Sequence, residues 1–243
     1  MIYHYTSIKS LAMILSSKSI RFTRLDFVDD PEERCFVQDG IDPSKYVFVS
    51  CWTHNQQENM PQWRLYGDNG HGIRIGLDDD VFGIVQQNGH NYLVNPIPYP
   101  DSLFILPLLN DSPLVNVEYV ESPLKKKTDI FITLENGEKA LDFSKVGFFK
   151  NKDWAFLSEC RFVAYTAPRN KKGNIPNNYI GERIYHSTTF LDFPIRNEVF
   201  ERMEIVAGPN LTKEEDVILH AIVSKHLGRD DITQSSFAEI DMI

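Results

Sequence analysis

The sequence has no apolar run approaching the roughly 18 residues that a membrane-spanning helix requires. It also has no basic segment followed by an apolar stretch near its start, so nothing there resembles a secretory signal. Cysteine is scarce: Cys35, Cys51 and Cys160 form an odd and scattered set, which excludes a disulfide framework and fits a reducing compartment. We therefore expect a cytoplasmic protein without a membrane partner.

Basic residues are also in the minority. Lys and Arg number 25 and Asp and Glu 34, so the 243 residues carry a formal net charge of −9. This excess of acid disfavours non-specific binding to duplex DNA through a broad basic face. The basic runs at 125–127 and 169–172 lie beside turn-forming residues and favour solvated loops. Apolar residues make up 42% of the chain, which is enough for a substantial globular core.

The hydrophobic pattern predicts an α+β chain. Aromatic, β-branched or alternating residues predict strands, and apolar residues at helical spacing predict helices. The longest helix has a Thr212 and Glu215 capping box at its start and Gly228 after its end, and we expect Val217, Ile218, Ala221 and Ile222 to form its packed face. A single domain over 1–243 with an irregular, proline-rich insertion at about 88–150 is the simplest organisation. The predicted strands are 2–6, 20–23, 46–52, 71–77, 115–120, 159–165 and 203–207, and the predicted helices are 7–16, 58–66 and 213–227.

Polar and aromatic residues cluster at the ends of these strands or on the helices that follow. Functional sites are often assembled at such positions, and a strand-to-helix junction suits a phosphate-bearing ligand. Each cluster also has a structural explanation, because Thr6 or Ser7 can cap a helix, aromatic residues can belong to the core, and Glu159 can pair with Arg161. The clusters are His4-Tyr5-Thr6, Ser50, Trp63 with Tyr66, and Glu159.

Other enzyme classes have weaker signals. Cys51 and His54, with His4, Cys35 and Cys160, could ligate zinc, but there is no Cys-x-x-Cys or His-Glu-x-x-His spacing, so no metal is expected. The sequence has no Gly-x-Ser-x-Gly elbow, Gly-x-Gly-x-x-Gly fingerprint or P-loop. These absences disfavour a serine hydrolase, a Rossmann dinucleotide site and a nucleotide triphosphatase.

Five motifs resemble those of the family known as domain of unknown function 2971, over nearly the full length of the chain. They are the Tyr-His-Tyr-Thr-Ser start at 3–7, a turn at 29–32, a Phe-x-Ser-Cys-Trp strand at 48–52, a Gln-Trp-x-x-Tyr-Gly helix at 62–67, where the family has Met-Trp-x-x-Tyr-Gly, and a Glu-x-Arg strand at 159–161.

The order of these motifs also resembles the ADP-ribosyltransferase superfamily, in the branch with a His-Tyr-Glu triad. A His-x-Thr strand precedes a helix with Ile14 and Leu15, an aromatic-Val-Ser strand precedes Tyr66, and a glutamate leads a later strand. The resemblance implies a split, mostly antiparallel β-sheet core with flanking helices. It further implies NAD as the substrate and cleavage of its nicotinamide–ribose bond.

The same resemblance assigns roles to residues of this chain. The catalytic residues would be Glu159, His4 and Tyr66, with the Glu159 carboxylate stabilising an oxocarbenium-like transition state. His4 would bind the adenosine ribose, and Tyr66, with Trp63 as a rival, would stack on nicotinamide. Tyr5, Thr6 and Ser50 would complete the NAD site. The acceptor of the ADP-ribose, whether a macromolecule, a small molecule or water, is not implied.

A second function fits the same resemblance. A transferase-like fold can persist as a catalytically inactive sensor or protein-interaction module, since fold does not fix function. For either function, a bacterial defence or toxin–antitoxin system is the expected setting.

Overall fold

The structure, a computed structural model, describes residues 1–34, 37–126 and 130–238. Two residues considered above, Cys35 and Lys127, lie outside this description. The chain divides into two compact units: residues 1–20, 52–82 and 194–243 form the first, and residues 21–51 and 83–193 form the second. The predicted insertion at about 88–150 therefore falls within the second unit.

Short strands and few helices make up both units. The strands are β1 (Ile2–Thr6), β2 (Ser19–Arg24), β3 (Val47–Thr53), β4 (Ile73–Leu77), β5 (Ile84–Gln87), β6 (His90–Leu93), β7 (Leu103–Ile105), β8 (Leu114–Asn116), β9 (Glu118–Val120), β10 (Phe131–Thr133), β11 (Lys139–Leu141), β12 (Phe149–Asn151), β13 (Glu159–Pro168), β14 (Phe190–Pro194), β15 (Glu204–Ala207) and β16 (Thr233–Gln234). The α-helices are α1 (Ile8–Ser17), α2 (Pro31–Arg34), α3 (Met60–Leu65), α4 (Pro123–Lys126), α5 (Asn197–Glu201) and α6 (Lys213–Leu227).

In the first unit, β1 is paired along its whole length. It runs antiparallel to β4, from Ile2 opposite Leu77 to Thr6 opposite Ile73, and Tyr3 pairs with Thr53 at the end of β3. The other edge of β4 is antiparallel to β15, which pairs in parallel with β16. Helix α1 packs beside α6. The amino-terminal strand is thus internal to the sheet.

In the second unit, β13 is the longest strand and is buried from end to end. It pairs with β3, β7 and β8, and β3 pairs with β2 in the antiparallel sense. Strands β9 and β12 pair in parallel, and β5–β6 and β10–β11 are antiparallel hairpins. An apolar cluster that includes Val47, Val49, Val163 and Tyr165 packs on this sheet.

The fold is therefore α+β, mostly sheet with few helices, and its open sheet structure mixes parallel and antiparallel pairs. The α+β prediction is confirmed. The finer prediction, a split core of ADP-ribosyltransferase type, stays a prediction.

Helix starts follow the capping signals in the sequence. Ser7 caps α1, its Oγ accepting the backbone N–H of Ser10 at 3.1 Å, so the structural explanation holds for Ser7. The capping box of α6 is formed, because Thr212 and Glu215 each bond the other's backbone N–H. Gly228 ends α6 in the left-handed conformation at φ +66°.

The predicted packed face of α6 is wrong for Val217, Ile218 and Ala221, which are exposed, whereas Ile222 is half-buried. Leu219 and Val223 are buried, whereas Val217 and Ile218 are 68% and 52% exposed. Two apolar stripes run along this helix, and its tertiary contacts bury the Leu219–Val223 stripe. Periodicity alone could not choose between the two stripes.

We predict that Thr212→Ala destabilises the chain by about 1 kcal/mol, because it removes the oxygen that accepts the Glu215 N–H. Thr212→Ser keeps a hydroxyl at the same place and should retain most of the stability. Urea denaturation followed by circular dichroism measures both variants. Equal stability of the two variants would show that the cap contributes nothing.

Candidate functional site

The predicted site residues are distributed over both units. His4, Tyr5, Thr6, Trp63 and Tyr66 belong to the first unit, and Ser50 and Glu159 belong to the second.

His4 is the half-buried residue of β1. Its ring centroid lies 5.1 Å from that of Trp52, at an interplanar angle of 38°. Because side chains alternate along a strand, His4 and Thr6 share one face of β1 and Tyr5 lies on the other. Thr6 is buried and its carbonyl oxygen approaches Gly72 so closely that a Cβ there would lie 2.2 Å from it.

Tyr5 and Trp63 are brought together in the core of the first unit. Their rings meet edge to face with centroids 4.8 Å apart, and Tyr66 packs at the margin of the same cluster. Trp63 is fully buried, and its indole N–H donates to Glu58 at 2.9 Å. The Tyr5 hydroxyl accepts the backbone N–H of Asn59 at 3.0 Å. Trp63 therefore has no ring face exposed for stacking on a ligand.

A buried arginine also lies on the Tyr5 face of β1, and the sequence did not single it out. The Arg74 guanidinium is 4.4 Å from the ring centroid of Tyr3 and 5.9 Å from that of Tyr5. Its Nη1 donates to the backbone oxygen of Gln56 at 2.9 Å. Aromatic rings and a backbone carbonyl thus surround this cation.

Ser50 and Cys51 are consecutive residues of β3, so their side chains point to opposite faces of the sheet. The Cys51 thiol and the Glu159 carboxylate are close enough for each to shift the pKa of the other. Ser50 is buried on the other face. The strand that carries both motif residues therefore presents Cys51, and not Ser50, to Glu159.

Glu159 opens β13 directly after a sharp change of chain direction. A 3₁₀ helix, Lys152–Leu157, ends at Ser158, whose φ of +45° is uncommon for a residue other than glycine. The backbone N–H of Glu159 then donates to the Tyr119 hydroxyl at 2.7 Å. The side chain is directed into the protein and the residue is only 5% exposed.

Both carboxylate oxygens of Glu159 are occupied by cations. Lys150 Nζ donates to Oε2 at 2.8 Å, and Arg161 Nε donates to Oε1 at 2.8 Å, with a further bond from its Nη2. The pairing with Arg161, one of the structural explanations, is thus present, in the interior instead of on an outward face. The sequence spacing places the two side chains on the same face of β13.

A second carboxylate completes this group, which we call the ion cluster: Glu33, Lys150, Glu159 and Arg161. Glu33 Oε1 accepts a hydrogen bond from Arg161 Nη1 at 2.7 Å. The other oxygen of the same carboxylate, Glu33 Oε2, lies 3.9 Å from Lys150 Nζ. Arg161 is fully buried and also donates to the Gly147 carbonyl at 3.1 Å. Two positive and two negative side chains therefore balance one another away from solvent.

The opposite charges within the ion cluster favour the ionised forms of Glu159, Lys150 and Arg161. Burial acts to raise the pKa of Glu159, but the positive charges of Arg161 and Lys150 outweigh burial and lower that pKa to about 2. For Lys150, burial acts to lower the pKa, and the charges of Glu159 and Glu33 raise it overall. Burial, together with the Glu159 charge, raises the pKa of the Cys51 thiol, so Cys51 is not an activated nucleophile.

Sequence reasoning missed Glu33 and Lys150 as partners of Glu159 and Arg161. Glu33 directly follows the turn at 29–32, and α2 begins at Pro31 as that turn predicts. The sequence did contain one signal. Glu159 and Arg161 share a face of a buried strand, and a buried arginine has more hydrogen-bond donors than one carboxylate can accept, so a further acceptor was to be expected. Nothing local identified that acceptor, because Glu33 lies 128 positions from Arg161.

Metal-binding clusters and membrane-spanning helices are both absent from the part of the chain that the structure describes. Over 1–34, 37–126 and 130–238, no group of three or more His, Cys, Asp or Glu side chains is arranged to hold a metal ion. Within the same ranges, every helix is too short or too polar to cross a bilayer.

Comparison of the chain with models of protein families, with curated proteins and with solved structures finds no match. The resemblances based on sequence motifs therefore stay predictions.

We predict that Glu159→Gln destabilises the chain by about 3–5 kcal/mol, because it leaves Lys150 and Arg161 buried with one carboxylate between them. Glu121→Gln is the matched control: it makes the same substitution in an exposed pair with Lys152 and should change stability little. Urea denaturation of the three proteins provides the comparison. Similar losses in both variants would contradict a special role for the ion cluster.

The stabilising effect of Glu159 should also depend on pH. Its pKa is near 2 in the folded chain and 4.5 ordinarily, so its contribution is complete above pH 4.5 and is lost as the pH falls towards 2. At low pH a protonated Glu159 resembles glutamine. The stability difference between wild type and Glu159→Gln, measured from neutral pH downwards, should therefore shrink below pH 4.5. A difference that is constant over this range would contradict the pKa assignment.

Proposed function

We propose that the chain is a catalytically inactive ADP-ribosyltransferase-like module that acts as a sensor or protein-interaction module. The observation that carries this proposal is the state of Glu159: both of its oxygens bind cations within a buried, neutral cluster.

Transferase chemistry makes a different demand on such a carboxylate. It must lie beside the nicotinamide ribose, with an oxygen directed at the developing positive charge. Releasing Glu159 for that role would leave Arg161 and Lys150 short of compensating charge in the interior, which is strongly unfavourable. Glu159 is therefore better suited to neutralising these two cations, and so to stabilising the second unit, than to catalysing the transfer of ADP-ribose.

The aromatic residues support the same proposal. Stacking on nicotinamide needs an accessible ring face, and Trp63 is fully buried against Tyr5. Tyr66 is half-buried and packs on the same cluster. These rings contribute to the core of the first unit.

One observation favours a second function, an NAD-dependent ADP-ribosyltransferase or NAD glycohydrolase. His4 stands on the first strand, is half-buried, and lies beside Trp52, an environment in which an imidazole can hydrogen-bond a ribose hydroxyl. Together with the order of the sequence motifs, this placement makes NAD the substrate to test.

Such a module would act in the bacterial cytoplasm, as part of a defence or toxin–antitoxin system. Its net charge of −9 makes non-specific binding to duplex DNA unfavourable, so its partner would be a protein or a small ligand.

The deciding experiment is incubation of the purified chain with NAD, followed by mass spectrometric measurement of nicotinamide and of modified protein or RNA. We predict that wild type, His4→Ala and Glu159→Gln all release no more nicotinamide than a buffer blank, while an active NAD-cleaving enzyme serves as the positive control. Calorimetric titration with NAD tests binding separately.

Turnover by wild type that is lost in a folded Glu159→Gln protein, and retained in Glu121→Gln, would replace this proposal with the transferase. Thermal denaturation of each variant establishes whether it is folded.

A further inference from the structure

The outward face of α6 combines an apolar centre with opposite charges at its two ends. We define the α6 outer face as Glu214, Val217, Ile218, Ala221 and Lys225, which recur at helical spacing and are all exposed. Val217 and Ile218 are 68% and 52% exposed, on the side of the helix away from the buried Leu219 and Val223. Adjacent exposed apolar residues framed by charges are typical of an interaction surface.

Glu215, Asp216 and His220, on the other sides of α6, are already engaged within the chain. Glu215 accepts from the Thr212 backbone and bonds His71 at 2.9 Å. His220 pairs with Asp216 and with Asp230. Within the described part of the chain, Glu214 and Lys225 at the two ends of the outer face form no ion pair. Their charges are thus available to a partner.

We propose that the α6 outer face binds the same face of a second copy of this chain, with the two helices antiparallel. A two-fold axis that crosses the outer face at the level of the peptide bond between residues 219 and 220 would set Glu214 opposite the partner's Lys225. The reverse pair would form by symmetry. The same register sets Ile218 opposite the partner's Ala221, a large side chain against a small one.

Charge and shape thus agree on a single register, which is the reason for choosing a second copy as the occupant. An antiparallel arrangement also places each positive helix N-terminus beside a negative C-terminus. A partner of another kind would have no reason to match both pairs about the same point. The contact is small, so we expect a dimer with a dissociation constant in the micromolar range.

Sedimentation velocity of the full chain at concentrations from about 1 to 200 μM, the range suited to a small interface, tests this proposal. Wild type should change from monomer to dimer across the range. Lys225→Glu sets like charges opposite each other twice and should raise the dissociation constant about tenfold. Ile218→Asp, at an exposed position where folding is not at risk, should abolish the dimer.

The decisive variant is the double charge reversal Glu214→Lys with Lys225→Glu, which restores opposite charges across the axis and should restore the dimer. Both reversals oppose the helix dipole, so recovery could not come from a more stable helix. Lys171→Glu, the same charge change in an exposed loop of the second unit, is the matched control and should leave dimerisation unchanged.

Three results would each overturn the proposal: a wild-type monomer at every concentration, a dimer that survives Ile218→Asp, or a double reversal as weak as Lys225→Glu alone. Circular dichroism confirms that each variant is folded before it is compared.

Discussion

The second unit depends on the mutual neutralisation of four buried charges. Glu33 comes from α2, Lys150 from β12, and Glu159 and Arg161 from β13, so three separate elements must meet before any of these charges is compensated. A charge left alone in the interior is far more costly than a charge left in water. The ion cluster therefore penalises every arrangement that separates α2, β12 and β13, whatever apolar packing surrounds them.

This structural requirement competes with the role that the resemblance to ADP-ribosyltransferases assigns to Glu159. A carboxylate that accepts from Lys150 and Arg161 cannot at the same time face a ribose in a solvent-accessible site. Motif order is informative about descent, but it does not specify whether a carboxylate faces a ligand or an arginine. The depressed pKa of Glu159 is equally ambiguous taken alone, since structural ion pairs and active sites both produce such shifts.

Features that depend on neighbouring residues were predictable from the sequence. The β1–α1 junction with its Ser7 cap and the capping box and Gly228 end of α6 follow from local hydrogen bonding and backbone preference. Features that depend on distant contacts were not predictable. The Glu33–Arg161 pair spans 128 positions, and only tertiary packing decides which stripe of α6 is buried. The sequence pattern therefore identified the polar and charged residues of interest but did not predict which residues surround them.

The hydrogen bonds of Glu58 have a consequence for the order in which the chain folds during its synthesis. Its carboxylate accepts hydrogen bonds from the Trp63 indole, the Ser235 hydroxyl and the Ser236 backbone, so residues far apart in sequence share one acceptor. During synthesis the ribosome releases residues 58–63 long before residues 235–236. The first unit must therefore wait until residues 235–236 have emerged from the ribosome, whereas all of the second unit has emerged once residue 193 has done so. Because the chain is synthesised from its N-terminus, the second unit would thus be the first to reach its native structure.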